Sequence, residues 1–173
     1  MAASSAKSVP SLFTMLSELV ASASVSCSDP RFDMGNRGVI DLLAGWLETL
    51  GFAIDIMPIP DQPTKANLIA TLGRGPGGLV LSGHTDTVPY DQNQWQSDPF
   101  QLVERNERWY GLGATDMKGF FPVAIEAAKA FVDTRLSQPL IILATADEES
   151  SMDGARALVE QGKPKARFAV IGE

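Results

Sequence analysis

The order of segments predicts an α/β fold, with a central, mostly parallel sheet flanked by helices. Three observations carry that expectation. Residues 79–82, 139–146 and 168–171 are near-continuous apolar runs, as strands covered on both faces require. Before and between them lie segments whose apolar residues recur at helical spacing. The composition, 45% hydrophobic and 20% charged over 173 residues, is ordinary for a globular domain and excludes wholesale disorder.

The elements follow in order. Leu12, Phe13, Leu16, Leu19 and Val20 define a first amphipathic helix, which Ser11 is placed to cap. Residues 22–31 read as a loop, broken by Asp29-Pro30. A second helix starts near Asn36 and carries Val39, Ile40, Leu43, Trp46, Leu47 and Leu50. Gly51 ends it, where a left-handed cap favours glycine. Phe52, Ile54 and Ile56 alternate with Ala53, Asp55 and Met57, so residues 52–59 are expected as a strand and 67–72 as the next. Gly73, Gly75 and Gly78 match GxGxxG, but that motif signals a dinucleotide only where it follows a strand and opens a helix. Here it lies between two strands and reads as a hairpin turn. Residues 101–104 and 109–111 are expected to pair across a turn at Asn106. Residues 118–132 have helical periodicity, with Pro122 tolerable in the first turn. A short helix over 155–160 ends at Gly162.

Charge and cysteine content narrow the function. Fourteen basic against 21 acidic residues leave a net charge of −7, which disfavours nucleic-acid binding through phosphates and is compatible with cation binding. The single Cys27 permits neither an internal disulfide nor a CxxC pair, and a reducing, cytoplasmic setting is expected. No membrane span is expected: no run approaches roughly 18 uncharged apolar residues, and Glu18 interrupts the N-terminal stretch. Lys7 ahead of residues 11–20 is a weak match to a signal peptide, opposed by Glu18 and by the helical spacing. A GxSxG elbow is absent, and Ser82, His84 and Asp86 lie too close on one extended segment to form a relay.

One constellation survives. Residues 79–83 run into His84-Thr85-Asp86, residues 139–143 lead to Asp147-Glu148-Glu149, and residues 168–172 end at Glu173. In open α/β sheets the ligand crevice lies just outside the carboxyl ends of the strands, so these groups are expected at one edge. Asp116 is expected to open a helix after a Gly-rich segment and to reach the same edge. Taken singly, each has an ordinary explanation: charge at a helix N-terminus, an N-cap, a hydrogen-bonded histidine. Together, one imidazole and several carboxylates would repel and raise one another's pKa, and a divalent metal resolves that conflict. Two metals about 3.5–4 Å apart would clamp a water between them. His84 and Asp86 face the same side of an extended segment, so Asp86 is placed to hold the second ring nitrogen. Glu148 and Glu149 are adjacent, so their side chains should diverge, one suited to a metal and the other to a general base.

Four motifs in this order are familiar: residues 82–89 (SGHTDTVP), 110–121 (YGLGATDMKGFF), 143–150 (LATADEES) and 171–173 (IGE), with Trp95 and Asp98-Pro-Phe100 between the first two. They resemble the two-zinc aminoacylase and carboxypeptidase family, over essentially the whole chain from the second helix onward. The resemblance implies a zinc-exopeptidase-like catalytic fold. It implies that His84 and Glu173 bind one metal, that Asp116 bridges two metals with a cis peptide to Met117, and that Glu149 binds the second. Glu148 would be the base that deprotonates the attacking water and passes the proton to the leaving amine, and Asp86 would orient His84. The cofactors implied are two Zn2+ or Co2+, the substrate a small N-acyl amino acid, and the assembly a cytoplasmic homodimer. Within the family the pattern is nearest to members that hydrolyse N2-acetyl-L-ornithine in arginine biosynthesis. Members that remove succinyl groups from diaminopimelate, the alternative, more usually carry Arg where Leu112 stands.

The chain also departs from the family pattern. The second metal of the family takes a further histidine near the C-terminus, and His84 is the only histidine here. The family inserts a dimerisation domain after its Ile-Gly-Glu strand and then completes the catalytic domain. Residues 1–173 are therefore expected to be the N-terminal part of that domain, with a sheet incomplete on its C-terminal side. At most one site would be well liganded, and the piece alone would be inactive. The alternative from another class is a non-catalytic α/β protein that binds one metal or a partner.

Overall fold

The computed structural model describes residues 8–173; Lys7 lies outside them. The elements are α1 (Leu12–Ala21), α2 (Arg37–Thr49), β1 (Ala53–Ile59), β2 (Gln62–Leu72), β3 (Leu79–His84), β4 (Val103–Arg105), β5 (Arg108–Tyr110), α3 (Phe120–Lys129), β6 (Leu140–Thr145), α4 (Asp153–Gln161) and β7 (Phe168–Ile171). Ser11 caps α1, its hydroxyl accepting from the Thr14 N–H at 3.2 Å. Gly51 follows α2 with φ 92°, the left-handed conformation expected of it. Asn106 and Glu107 turn β4 into β5.

Five strands form the main sheet among the described residues, in the order β1-β2-β6-β3-β7. β3 pairs in parallel with both β6 and β7, while β2 is antiparallel to β1 and to β6. Four strands thus run one way and β2 alone runs back, the mixed but mostly parallel sheet of an α/β fold.

The glycine-rich segment 73–78 corrects one expectation. It is not a hairpin turn, because β2 and β3 are not neighbours: β6 lies between them. Sequence adjacency suggested pairing, but the long apolar β6 is covered best at the sheet centre. Two further differences concern the site. β2 begins at Gln62, five residues earlier than expected: Gln62-Pro-Thr-Lys lacks apolar alternation, yet Gln62 pairs with Ile59 of β1 across a register shift. α3 begins at Phe120, so Asp116 does not open the helix but lies in the turn before it, and Lys118 is outside the helix.

The sheet is covered on both faces. Leu19, Ile40, Leu43, Leu47, Phe121 and Ile125 from α1–α3 pack against Leu68, Ala70, Ile142 and Ala144. On the other face Leu158 of α4 joins Met57, Ile69, Val80, Ile141 and Leu143. Burying one such side chain contributes about 1.5–3 kcal/mol. Gly83 in β3 allows a close approach near the site: an added Cβ would lie 2.8 Å from Met117 Cε and 3.1 Å from Phe120 and Phe121 ring carbons. A side chain there would push the 116–121 turn away from β3.

Candidate metal centre

β3 ends at His84, and its pairing with β6 and β7 brings the carboxyl ends of all three strands together. His84 Nδ1 lies 3.0 Å from the Asp86 main-chain carbonyl, which can only accept, so Nδ1 carries the proton. That leaves Nε2 as the free ligand atom. Nε2 stands 3.0 Å from Asp116 Oδ1 and 3.8 Å from Glu173 Oε2. Met117 holds the His84 main chain, its Sδ accepting the His84 N–H at 3.1 Å. The Asp116–Met117 peptide is cis.

Asp86 is buried and serves two partners. Its Oδ1 lies 3.6 Å from His84 Nδ1, an ion-pair distance rather than a hydrogen bond. Its oxygens accept the main-chain N–H of Glu148 at 3.2 Å and of Glu149 at 3.0 Å. One carboxylate therefore ties the loop after β3 to the loop after β6.

Two triads of ligand atoms form around the one imidazole: His84 with Asp116 and Glu173, and His84 with Glu148 and Glu149, each within 4.8 Å throughout. The second triad corrects the expectation that Glu148 and Glu149 diverge. Adjacent side chains diverge on extended backbone, whereas here the chain has left β6 and turns, with Asp147 at φ 58°. Both glutamates consequently reach the histidine. All six residues singled out from the sequence meet at this edge of the sheet.

The electrostatics show how crowded the charges are. Burial opposes a charge on His84, but Asp86 and Asp116 outweigh it and raise the imidazole to about 9. Asp86 is held below its ordinary value: burial acts against it, and His84 and the Glu149 N–H prevail. Glu149 is pushed up by burial and then by the Asp116 charge, and Glu173 moves the same way. A divalent cation among these oxygens would relieve that repulsion, and a set of one imidazole nitrogen with carboxylate oxygens suits zinc. The residues present fit such an ion.

A second layer supports the site, and sequence reading missed it. Lys65 on β2 is buried; its Nζ donates to Asp147 Oδ1 at 2.7 Å and to Asp33 at 2.8–2.9 Å. Ser26 donates to Asp147 Oδ1 at 3.1 Å. Asn67 accepts the Ala146 N–H at 3.0 Å and donates to the Gly154 carbonyl at 2.8 Å. Buried Lys118 donates to the Leu19 and Ser22 carbonyls at 2.9 and 2.8 Å, and burial lowers its ammonium to about 8. The available signal was Asn67 at the head of the apolar run of β2, a polar group that must be satisfied inside; Lys65, just before that run, carried none.

Comparison with known proteins shows the family of the chain. The sequence profile described as peptidase family M20/M25/M40 matches residues 80–173. The acetylornithine deacetylases of Pasteurella multocida (strain Pm70) and Proteus mirabilis (strain HI4320) are each 50% identical to the chain, over 96% and 95% of it. The chain spans 44% and 43% of their lengths. Human carnosine dipeptidase 1 superposes on 92% of the chain, and 37% of its own, with a TM-score of 0.75 and 27% identity. The metallo-carboxypeptidase Sso-CP2 from Sulfolobus solfataricus shares the fold, with a TM-score of 0.79 and 22% identity over 95% of this chain and 37% of that one. With more than half of its residues matched by the profile, the chain belongs to peptidase family M20/M25/M40.

Proposed function

We propose that this chain carries the metal centre of an N-acyl-amino-acid amidohydrolase that converts N2-acetyl-L-ornithine and water to L-ornithine and acetate, a step of arginine biosynthesis in the cytoplasm. The observation that carries the reading is the gathering of carboxylate oxygens of Asp116 and Glu173, and of Glu148 and Glu149, around the His84 imidazole. The two relatives at 50% identity favour the acetylated substrate. Leu112, buried and apolar, offers no cation for a succinyl carboxylate.

His84 and Glu173 would hold one zinc or cobalt ion, Glu149 a second, and Asp116 both. When bound, the metals would supply Lewis acidity toward the acyl carbonyl and acidify water. Glu148, exposed at the mouth of the site, would accept a proton from the attacking water and deliver it to the departing amine nitrogen. Asp86 would keep the His84 proton on Nδ1 and hold the glutamate main chain. His84 being the only imidazole, the second ion has just Asp116 and Glu149 from residues 1–173. Those residues alone are therefore proposed to be inactive, and the full-length protein to act as a homodimer.

The test is acetate release by the full-length, zinc-loaded protein, compared with succinate release from N-succinyl-diaminopimelate. Glu148→Gln should lower kcat by about 10²–10⁴ with metal content unchanged. Preference for the succinylated substrate would overturn the substrate reading, and an unimpaired Glu148→Gln would remove Glu148 as the base.

A further inference from the structure

We propose that Lys65, remote in sequence from every motif of the site, is a positioning residue for the Glu148–Glu149 pair. The role rests on the metal-centre reading above, because those two glutamates are its object.

The argument begins with the turn. Asp147 immediately precedes the pair and adopts φ 58°, a conformation disfavoured for any residue with a side chain and maintained only by its surroundings. Its carboxylate is 2% exposed, and Oδ2 has no hydrogen-bond partner. Oδ1 is held by Lys65 Nζ at 2.7 Å and by Ser26 Oγ at 3.1 Å. The Asp147 carbonyl accepts the Met152 N–H at 2.7 Å, closing the turn. Asp86 accepts the main-chain N–H groups of Glu148 and Glu149. The glutamate pair thus hangs between two buried carboxylates, and each has one cation: His84 for Asp86 and Lys65 for Asp147.

Lys65 also joins separate segments. Its second carboxylate partner, Asp33, accepts the Cys27 N–H at 3.0 Å. Ser26 N–H in turn donates to the Thr87 carbonyl at 2.9 Å, and Thr87 N–H to the Ser24 carbonyl at 3.1 Å. A single ammonium therefore links the loop after β6 to residues 24–33, which brace the segment just beyond His84. Without it, Asp147 is left as an uncompensated buried charge facing Asp86, and the least costly relief is movement of the turn that carries Glu148 and Glu149.

The test uses the full-length protein, stripped of metal and titrated with Zn2+ in competition with a chromophoric chelator, alongside thermal melting and steady-state kinetics on N2-acetyl-L-ornithine. Lys65→Met should fold, weaken zinc binding by about 10–100-fold, and lower kcat with little change in KM. Lys65→Arg, which keeps the charge, should recover most of the zinc affinity. Lys65→Met that melts earlier yet binds zinc and turns over as wild type would overturn the proposal, leaving Lys65 as a stability residue only. Should Lys65→Met fail to fold, Asp33→Asn carries the test, because it unties the ammonium while leaving the pair with Asp147. A several-fold loss of zinc affinity supports the role, and wild-type affinity overturns it. If the wild-type protein does not hydrolyse acetylornithine, the function reading fails, but the zinc titration still decides the role of Lys65.

Discussion

The two halves of the centre are built differently. His84 and Asp86 belong to the interior, with side chains 1% and 3% exposed, whereas Asp116 and Glu173 reach the same point from outside, 58% and 56% exposed. The interior half is fixed by strand register and by main-chain hydrogen bonds, so its geometry exists before any cation arrives. The outer half consists of carboxylates that water screens while the site is metal-free. The difference separates two jobs that one constellation performs: holding shape, and supplying charge. It also makes the halves separable by mutation.

The largest effect is expected at Asp86. Asp86→Ala removes the partner of a buried imidazole and the acceptor of two N–H groups. The metal-free protein should lose about 3–5 kcal/mol in urea unfolding, and zinc affinity should fall together with stability. Asp116→Asn and Glu173→Gln sharpen the contrast. Each should weaken zinc in the chelator competition while shifting metal-free stability by at most about 1 kcal/mol, as exposed charges do. If either destabilises the metal-free protein as much as Asp86→Ala, the division into two halves fails.

The pH dependence is a further break point. The His84 imidazole is raised from 6.5 to about 9 in the folded, metal-free protein. A raised pKa means that folding favours the protonated form. Its stabilising contribution is fully present below 6.5 and is lost as pH rises through about 9. Zinc must displace that proton, so apparent zinc affinity should increase from pH 6.5 toward 9. Calorimetry in buffers of different ionisation enthalpy should register proton release on binding, and pH-independent affinity would contradict the assignment of His84. The smallest effect is expected far from both halves. Arg37→Ala breaks a half-exposed pair with Asp41 within α2. It should cost no more than about 0.5 kcal/mol and leave zinc binding unchanged.

Much of this molecule was legible from residue order. Sequence pattern located the four α-helices and the strands of the main sheet among the described residues, because helix and strand patterns are local consequences of which face is buried. The site residues were legible for a related reason: His84, Glu148, Glu149 and Glu173 follow apolar strands, and strand ends in such folds converge. The errors arose where pairing is non-local. Residues 73–78 read as a hairpin until β6 was found between its flanking strands. Asp116 read as a helix start, but α3 begins only at Phe120.

Lys65 marks the boundary most clearly. In sequence it is a lysine before the apolar run of β2, with nothing to distinguish it from a solvated charge. In the structure it is 5% exposed and holds carboxylates from residues 33 and 147. The sequence by itself determined the elements, the net negative charge and the chemistry gathered at the strand ends, since these depend on local pattern and residue type. Only the tertiary structure decided strand order, which carboxylate faces which cation, and which charges are buried. Those depend on contacts between residues far apart in the chain, such as Ser26 with Asp147, 121 positions away, and on the loss of water around them.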